Sequence, residues 1–328
     1  MTFVRFAARV EINVAALSGL GAVGNYNQVA VAKVIYDGSA YEVPVLTGNA
    51  LKHWHAVYAA EEYLQMGGKC INALCKMGVG LRGYTHDSNW AQWKVAANEC
   101  EAILDFCNDL HGFLIAEGGR STKRDSLVKV SFATPVLEGK NLEATSKFAV
   151  QHNRVVAEKV RQEVGEQAMM LFKQEYASGL YGLYVRLDLD KVLQPMFDPC
   201  EVKHIGCSAE FDVKKEASLR KRAAVSALLK LLLGAGSKQA RALPIADVKE
   251  VLVAASKAPL PNLVHPAYPD YCEKSLDVLN TYKSMTGSDV IVLYYGGGPC
   301  ARGEVKRVGT LKELFDELLK VVDGGGTS

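Results

Sequence analysis

The order in which strand and helix patterns follow one another constrains the fold of this chain most. Residues 6–14 alternate apolar and polar side chains, which is the period of a half-buried strand. Thr47 is a good N-cap for a helix that continues to about residue 64. Strand, strand, helix and strand patterns then follow at 127–137, 180–190, 215–233 and 289–298. The resulting order is β, α, β, β, α, β.

This order predicts an α+β fold with a ferredoxin-like βαββαβ core, which is also the topology of RNA-recognition (RRM) domains. A chain of 328 residues has room for this core with large insertions, or for two domains. Residues 256–273 hold four of the ten prolines, which predicts a loop excursion. The aromatic signature of RRM domains is missing, so this is not an ordinary RRM.

The composition excludes several protein classes. A hydrophobic content of 49% and a charged content of 23% are those of an ordinary globular protein. No apolar run reaches the ~18 residues that cross a bilayer. Charged residues interrupt the first 14 residues, which therefore resemble a strand more than a secretory signal. We expect a cytoplasmic protein that has no membrane partner.

The eight cysteines do not form a metal-binding or redox motif. They lie at positions 70, 75, 100, 107, 200, 207, 272 and 300, and no two form a C-x-x-C pair. Cys100 and Cys107 are seven apart within a pattern that predicts a helix over 90–110, which would place both on one buried face. Free thiols are the first expectation for a reducing cytoplasm, and disulfides remain an alternative.

Positive charge is concentrated in two segments, although the net charge is only +2. Residues 118–161 hold nine Lys and Arg against four Asp and Glu, and residues 211–241 hold eight against two. The rest of the chain is therefore acidic. Two basic segments on an acidic body predict a localised track for a polyanion. Two solvated faces would give the same counts and remain an alternative.

Residues 231–244, LLLGAGSKQARALP, run from an apolar helix end into glycines and polar side chains. Glycines let backbone N–H groups approach an anion closely, and the following side chains are donors for phosphates. The candidate residues are Gly234, Gly236, Ser237, Lys238, Gln239 and Arg241. The P-loop pattern is absent. A helix end capped by Gly234, with cations near its negative pole, explains the same residues and stays open.

Polar side chains elsewhere complete a candidate phosphate-binding set. Lys52 and His53 open the helix after Thr47, where N-terminal N–H groups can face a phosphate. The further candidates are Asn25, Asn27, Gln28, Lys147, His152, Asn153 and Arg154. A plain polar turn and a histidine bonded to its own backbone would explain some of them equally well. His53 and His55 diverge on a helix, so we expect no metal site.

Three segments together resemble a known family. They are VPVLTGNALKHWHA at 43–56, FAVQHNRV and the strand after it within 148–190, and GAGSKQARALP at 234–244. In this order and spacing the chain resembles the RAMP superfamily of CRISPR-associated proteins. Within that superfamily it resembles the DevR-type backbone subunits of the archaeal type I-A Cascade, the Cas7 group.

The resemblance implies a crRNA-binding scaffold without catalysis or a cofactor, built from an RRM-like palm, a helical finger insertion and a thumb hairpin. Its partners would be the crRNA, target DNA through the guide, head-to-tail copies of itself and other Cascade subunits. The palm would comprise 1–64, 126–135, 180–245 and 286–328. The fingers would be 65–125, the thumb and linker 136–179 with a tip at 138–146, and a second insertion 246–285.

Other functions remain open at this stage. A RAMP endoribonuclease would use His152 or His53 as a general acid or base. A subunit that cuts target RNA would need an Asp in the thumb, and residues 136–152 contain none. A nucleotide-binding regulator would use the glycine loop and bind a mononucleotide instead of long RNA.

Overall fold

The computed structural model describes residues 2–84, 95–117, 120–153, 156–165, 171–202, 207, 211–234, 243–298, 300 and 305–323. The strands are β1 (Phe3–Ala15), β2 (Gly19–Val23), β3 (Tyr26–Val29), β4 (Val31–Tyr36), β5 (Ser39–Pro44), β6 (Phe113–Glu117), β7 (Arg120–Arg124), β8 (Val128–Val130), β9 (Thr134–Pro135), β10 (Ser146–Asn153), β11 (Leu171–Asp188), β12 (Ile245–Ser256), β13 (Val290–Gly296) and β14 (Lys306–Val308). The helices are α1 (Gly48–Gln65), α2 (Ala73–Lys76), α3 (Glu99–Ala102), α4 (Phe106–His111), α5 (Gly139–Ala144), α6 (Glu158–Val164), α7 (Val213–Gly234), α8 (Tyr271–Thr286) and α9 (Leu311–Val322). None of the helices in these ranges combines the length and apolar character that a bilayer crossing requires.

One mixed sheet organises the molecule. Its strands run in the order β14-β13-β12-β1-β11-β3-β2, and β8, β9 and β10 also pair with β11. The central strand β1 is antiparallel to both of its neighbours, β11 and β12. Helices α1, α7 and α9 pack on one face of the sheet, and α8 packs on the other. The combination of helices with a large sheet is therefore confirmed.

The strand beside β1 on one side is not the one that the sequence predicts. β12 pairs with β1 from Ile245 to Ser256, whereas the expected strand at 289–298 is β13, one place further out. The range expected for the second insertion, 246–285, therefore includes most of β12, a strand of the sheet. Residues 251–256 are buried throughout, so they show no alternation by which a strand is recognised.

The central strand β1 is buried on both faces instead of half-buried. Residues Val4, Phe6, Ala8 and Val10 pack under α1, α7 and α9, while Phe3 and Ala7 pack against the layer that contains α8. The sequence of β1 still alternates apolar and polar residues because Arg5 and Arg9 point into that second layer. There, Arg5 is fully buried, so a charged residue in the alternation does not mark a solvent face.

The proline-rich segment is a loop over 257–270, as expected, and it forms part of the second layer. Arg5 Nη2 donates to the Leu260 carbonyl at 2.5 Å, and Arg9 Nε donates to the Pro266 carbonyl at 2.9 Å. A coil segment can be buried only when its backbone polar groups have partners. The two arginines of β1 supply these partners, which lets the segment pack on the sheet.

The region expected as fingers, 65–125, is mixed rather than purely helical in its described part. The expected helix at 90–110 is two short helices, α3 and α4, and residues 85–94 lie outside the described ranges. The break falls at Asp105, whose carboxylate caps α4 by accepting from the Asn108 backbone N–H at 2.9 Å. The hairpin of β6 and β7 follows.

A buried ionic network joins this region to α7. Arg124 donates to Glu99 at 3.0 Å and to Asp109 at 2.7 Å, and Arg220 donates to Asp109 at 2.9 Å. All four side chains are fully buried. Arg220 lies in the basic segment 211–241, but its charge is used inside the protein, so it belongs neither to a polyanion track nor to a solvated helix face.

All eight cysteines are paired, which corrects the expectation of free thiols. The disulfides are Cys70–Cys207, Cys75–Cys107, Cys100–Cys200 and Cys272–Cys300. Their Cα–Cα distances lie between 5.1 and 6.3 Å, within the range that a disulfide bridges. Cys100 and Cys107 are both buried as expected, but they lie on different short helices and bond to different partners.

The hairpin expected as the thumb consists of β10 and β11, paired from Ser146–Ser178 to Asn153–Leu171. The segment expected at its tip, 138–146, contains α5 instead. Asn141 holds α5 on β11, since its side-chain amide donates to the Leu180 carbonyl at 3.1 Å and its oxygen accepts from the Leu180 N–H at 3.0 Å. The tip of the hairpin is therefore the connection at 154–170.

Candidate nucleic-acid interface

The first turn of α1 is fixed against β8. The Thr47 hydroxyl accepts from the Ala50 N–H at 3.3 Å, so the predicted N-cap is confirmed. Gly48 packs so closely on β8 that a Cβ atom would lie 2.5 Å from the Val130 carbonyl oxygen. Only glycine permits this approach. The close packing sets the position of Lys52, one turn further along α1.

Four basic side chains converge beside this turn: Lys52, His53, Arg82 and Lys129, named here the cationic cluster. Burial, followed by the positive charges of Arg82 and Lys129, lowers the pKa of Lys52 to about 8. Burial and Arg82 also lower the pKa of His53, which is therefore neutral at pH 7. Within the described ranges, no carboxylate forms a salt bridge with Lys52 or Lys129, whereas the negative charge of Asp105 acts favourably on Arg82.

Neighbouring positive charges that lower the pKa of a lysine, as Arg82 and Lys129 do for Lys52, are typical of a site for an anion. Sequence reasoning had identified Lys52 and His53 but missed the other two members. Lys129 is the charged residue in the strand pattern at 127–137 and lies inside a basic segment, so a signal for it existed. No local sequence pattern indicates Arg82, because only the tertiary structure brings it close to Lys52.

A cavity of about 430 Å³ lies on the neighbouring side of α1. Asn27 and Gln28 of β3 line it together with Thr47, so three of the polar groups selected from the sequence lie at one place. Leu233 and Pro244, which flank residues 235–242, line it as well. Asn25 is exposed at the turn before β3, and its carbonyl accepts from the Lys173 N–H at 2.8 Å.

Lys147 is engaged in an internal ion pair. Its ammonium donates to Glu175 at 3.1 Å, and the same carboxylate accepts from the Tyr26 hydroxyl at 2.6 Å and the Val29 N–H at 2.8 Å. Burial raises the pKa of Glu175, but these three donors outweigh it, so the pKa is lowered overall. The carboxylate therefore stays ionised and holds Lys147, which links β10 to β3 through β11.

His152 belongs to an aromatic face of the β10–β11 hairpin. Its ring stacks on Phe172 with centroids 4.9 Å apart, and its Nε2 lies 3.3 Å from the Tyr176 hydroxyl. Phe148 stacks on Tyr176 in the same way at 6.0 Å. His152 is therefore neither a free ring nor a histidine satisfied by its own backbone. Asn153 ends β10, and Arg154 lies outside the described residues.

The glycine loop is described only at its first residue. α7 ends at Gly234, as the sequence predicts, and the Gly234 carbonyl accepts a hydrogen bond from Tyr58. The other candidates of the loop lie outside the described residues and remain predictions: Gly236, Ser237, Lys238, Gln239 and Arg241.

Comparison with known proteins gives the family. A family model described as "CRISPR-associated negative auto-regulator DevR/Csa2" matches residues 6–276 of this chain. The chain belongs to the DevR/Csa2 family. The cationic cluster, the cavity lining and the β10–β11 hairpin all lie inside the matched range.

Curated relatives of this DevR/Csa2 chain come from archaea. A "CRISPR-associated protein Cas7/Cst2/DevR" of Thermoproteus tenax is 49% identical, over 99% of this chain and 97% of the relative. A protein of the same description from Methanocaldococcus jannaschii is 34% identical, over 86% and 90%. The "aCascade subunit Cas7/Csa2 2" of Saccharolobus solfataricus is 26% identical, over 88% and 90%.

Solved structures share the fold of this DevR/Csa2 chain. A chain from a "CRISPR RNA-guided surveillance complex" matches with a TM-score of 0.51 and 13% identity, covering 98% of this chain and 99% of the other. A chain from the same kind of complex in a "pre-nicking" state matches with a TM-score of 0.50, 14% identity and coverage of 98% and 100%.

Two buried histidines in this DevR/Csa2 chain bond to each other. His55 Nδ1 lies 2.9 Å from His111 Nε2, and His55 Nε2 lies 2.9 Å from the Ala224 carbonyl oxygen. Because a carbonyl only accepts, His55 donates from Nε2 and accepts at Nδ1 from His111. Among the described residues, no group of three or more potential metal ligands occurs.

Proposed function

We propose that this chain is a crRNA-binding scaffold subunit of a CRISPR surveillance complex. Copies would polymerise head to tail along the guide and present it for base pairing with target DNA, beside the other Cascade subunits. The family, the relatives named as Cas7 proteins and the shared fold support this proposal. The chain would act without catalysis or a cofactor, since holding a guide needs only contacts to phosphates and 2′-hydroxyls.

The cationic cluster is the observation that carries the proposal. Lys52, Arg82 and Lys129 lie beside the N-terminal turn of α1, and in the described structure no carboxylate pairs with Lys52 or Lys129. Bringing cations together costs free energy that a polyphosphate backbone recovers by neutralising them. A track that contacts phosphates alone would hold any guide sequence.

The architecture supports an RRM-like palm as part of the same proposal. Four antiparallel strands lie in the order β12-β1-β11-β8, with α1 between β1 and β8 and α7 between β11 and β12 along the chain. This is the order of a ferredoxin-like core. The palm would then include residues 245–256, the fingers would remain at 65–125, and the thumb would be the β10–β11 hairpin.

Binding of a fluorescent single-stranded RNA at several salt concentrations tests the proposal. Lys52→Ala and Lys129→Ala should each weaken binding and lower the salt slope by about 0.7, the value for one lost phosphate contact. Lys274→Ala on α8 is the matched control, because its ammonium is exposed and paired with Asp270. Slopes that are equal in all three variants and the parent protein would contradict the proposal.

The endoribonuclease alternative is tested with the same protein and a repeat-containing RNA. The RNA should remain intact, because the ring of His152 is stacked and its Nε2 faces Tyr176. Cleavage that His152→Ala abolishes would overturn the non-catalytic role.

A further inference from the structure

The cavity beside α1 has walls suited to a flat apolar ligand. Leu51 and Trp54 of α1, Leu183 of β11 and Leu231 of α7 form its apolar lining. Its volume of about 430 Å³ lies within the range of small-molecule sites. Polar side chains come from β3, from β11 and from the residues before β2 and α1, and such groups among apolar walls can orient a ligand.

One polar atom in this lining has no partner. Tyr181 is 1% exposed, and its hydroxyl is buried without a hydrogen bond in the described structure. The other hydroxyls of the lining are used, since Ser18 Oγ accepts from the Thr47 N–H at 2.8 Å and Thr47 Oγ1 accepts from Ala50. Burial raises the pKa of Tyr181, which keeps the hydroxyl protonated and able to donate. Buried hydroxyls without partners are rare and call for an explanation.

We propose that the cavity binds a nucleobase of the bound RNA, with the Tyr181 hydroxyl donating to an acceptor on the base. This inference rests on the proposed function and extends it from phosphates to one base. The phosphates would lie on the cationic cluster, which α1 carries on the adjoining side, and Trp54 and the leucines would cover the faces of the base. Asn27 and Gln28 contribute amides that can pair with its edge.

Binding of two labelled oligoribonucleotides tests the inference: one with normal bases and one of equal length with abasic sugars throughout. Tyr181→Phe removes only the hydroxyl and should weaken binding of the normal RNA by about 3- to 10-fold, the effect of one lost hydrogen bond. Ala50→Phe fills the cavity and should weaken it further. Neither variant should change binding of the abasic RNA, which occupies the cationic cluster alone.

Tyr294→Phe is the matched control. Tyr294 is also 1% exposed with a hydroxyl that lacks a partner, but it packs on the opposite face of the sheet. Its removal should leave binding of both RNAs unchanged. Thermal unfolding of each variant verifies that the fold is intact.

Failure of the base site and failure of the proposed function give different binding results. Normal RNA that binds Tyr181→Phe and Ala50→Phe as tightly as the parent protein overturns the base site and leaves the scaffold proposal intact. A second outcome also overturns the base site. If RNA binding is unchanged in both variants, and a free nucleoside monophosphate binds saturably to the parent protein but not to Ala50→Phe, the cavity binds a free nucleotide. If neither RNA binds the parent protein, the proposed function fails and the base site with it.

Discussion

Lys52 shows how the fold gives a common residue an uncommon property. A lysine on a solvated helix face titrates near 10.4, whereas burial and the charges of Arg82 and Lys129 lower the pKa of Lys52 to about 8. Sequence reasoning identified the position from Thr47 and the helix start. It did not reveal the shift, because Arg82 and Lys129 approach from other elements.

RNA affinity should therefore depend on pH above neutrality. A phosphate beside Lys52 raises its pKa again, so binding takes up a proton once the pH exceeds about 8. Affinity should fall as the pH rises from 8 to 9, by up to about tenfold per unit. Lys52→Arg keeps the charge at every pH tested and should remove this dependence. Identical pH profiles for the two proteins, measured by RNA anisotropy, would refute the role of Lys52.

The His55–His111 pair makes the fold sensitive to acid. Burial lowers the pKa of His55 to about 4 and that of His111 well below its ordinary value. The unfolded chain therefore binds protons below pH 6.5 that the folded protein cannot, and stability falls as the pH decreases from 6.5 to about 4. Asp105 opposes this in part, since burial raises its pKa to about 6 and the folded protein takes up that proton first.

Denaturant unfolding at several pH values tests this balance. The free energy of unfolding should be constant between about pH 7 and 8 and decline below pH 7 with a slope of roughly 1.4 kcal/mol per pH unit for each net proton. His111→Gln keeps a donor toward His55 without a titrating ring. The slope of its unfolding free energy against pH should therefore be smaller by the contribution of one proton. A slope unaffected by this substitution would exclude the pair as the acid-sensitive element.

At the scale of elements, helices with clear caps and stripes were predictable and doubly buried strands were not. α1 begins at its predicted cap, and α7 matches its apolar pattern. β12 was missed because both of its faces are covered, which removes the alternation that marks a strand. The segment 257–270 covers one face of β12. Its arrangement depends on Arg5 and Arg9, which lie more than 250 positions earlier in the chain.

Gly182 of β11 lets the segment 257–270 pack closely on the sheet, and a substitution at this position tests that packing. A Cβ atom at position 182 would lie 2.4 Å from the Ala267 backbone nitrogen, an overlap that a backbone atom cannot relieve cheaply. Gly182→Ala should therefore destabilise the protein by roughly 1–3 kcal/mol, the cost of overpacking. Gly139→Ala, where a Cβ meets nothing within 4 Å, is the control. Equal denaturation midpoints for the two variants would mean that the layer is not packed on β11.

Across the whole molecule, disulfides join regions that are distant in the sequence. Cys70–Cys207 spans 137 positions and Cys100–Cys200 spans 100, so both tie the region expected as fingers to the chain just before α7. Sequence spacing could not reveal these pairs, because no local motif relates the partners. Sequence reasoning likewise could not reveal that Lys147 and Arg220, both in the basic segments, form ion pairs within the fold.

Thiol titration in denaturant tests the disulfides. The unfolded protein should expose no reactive thiol before reduction and all eight afterwards. Reduction should also lower the free energy of unfolding by about 2–5 kcal/mol for a single bond, and by less than the sum for all four because three of the loops overlap. Eight reactive thiols in protein purified without reductant would contradict the pairing.

The central claim, that copies of this chain assemble along a guide RNA, is tested most directly by the mass of the complex on RNAs of increasing length. Light scattering across a sizing column should give a protein mass that grows in proportion to RNA length, and ribonuclease treatment should reduce the complex to small species. A fixed one-to-one mass at every RNA length, or no RNA-bound species at all, would contradict the scaffold.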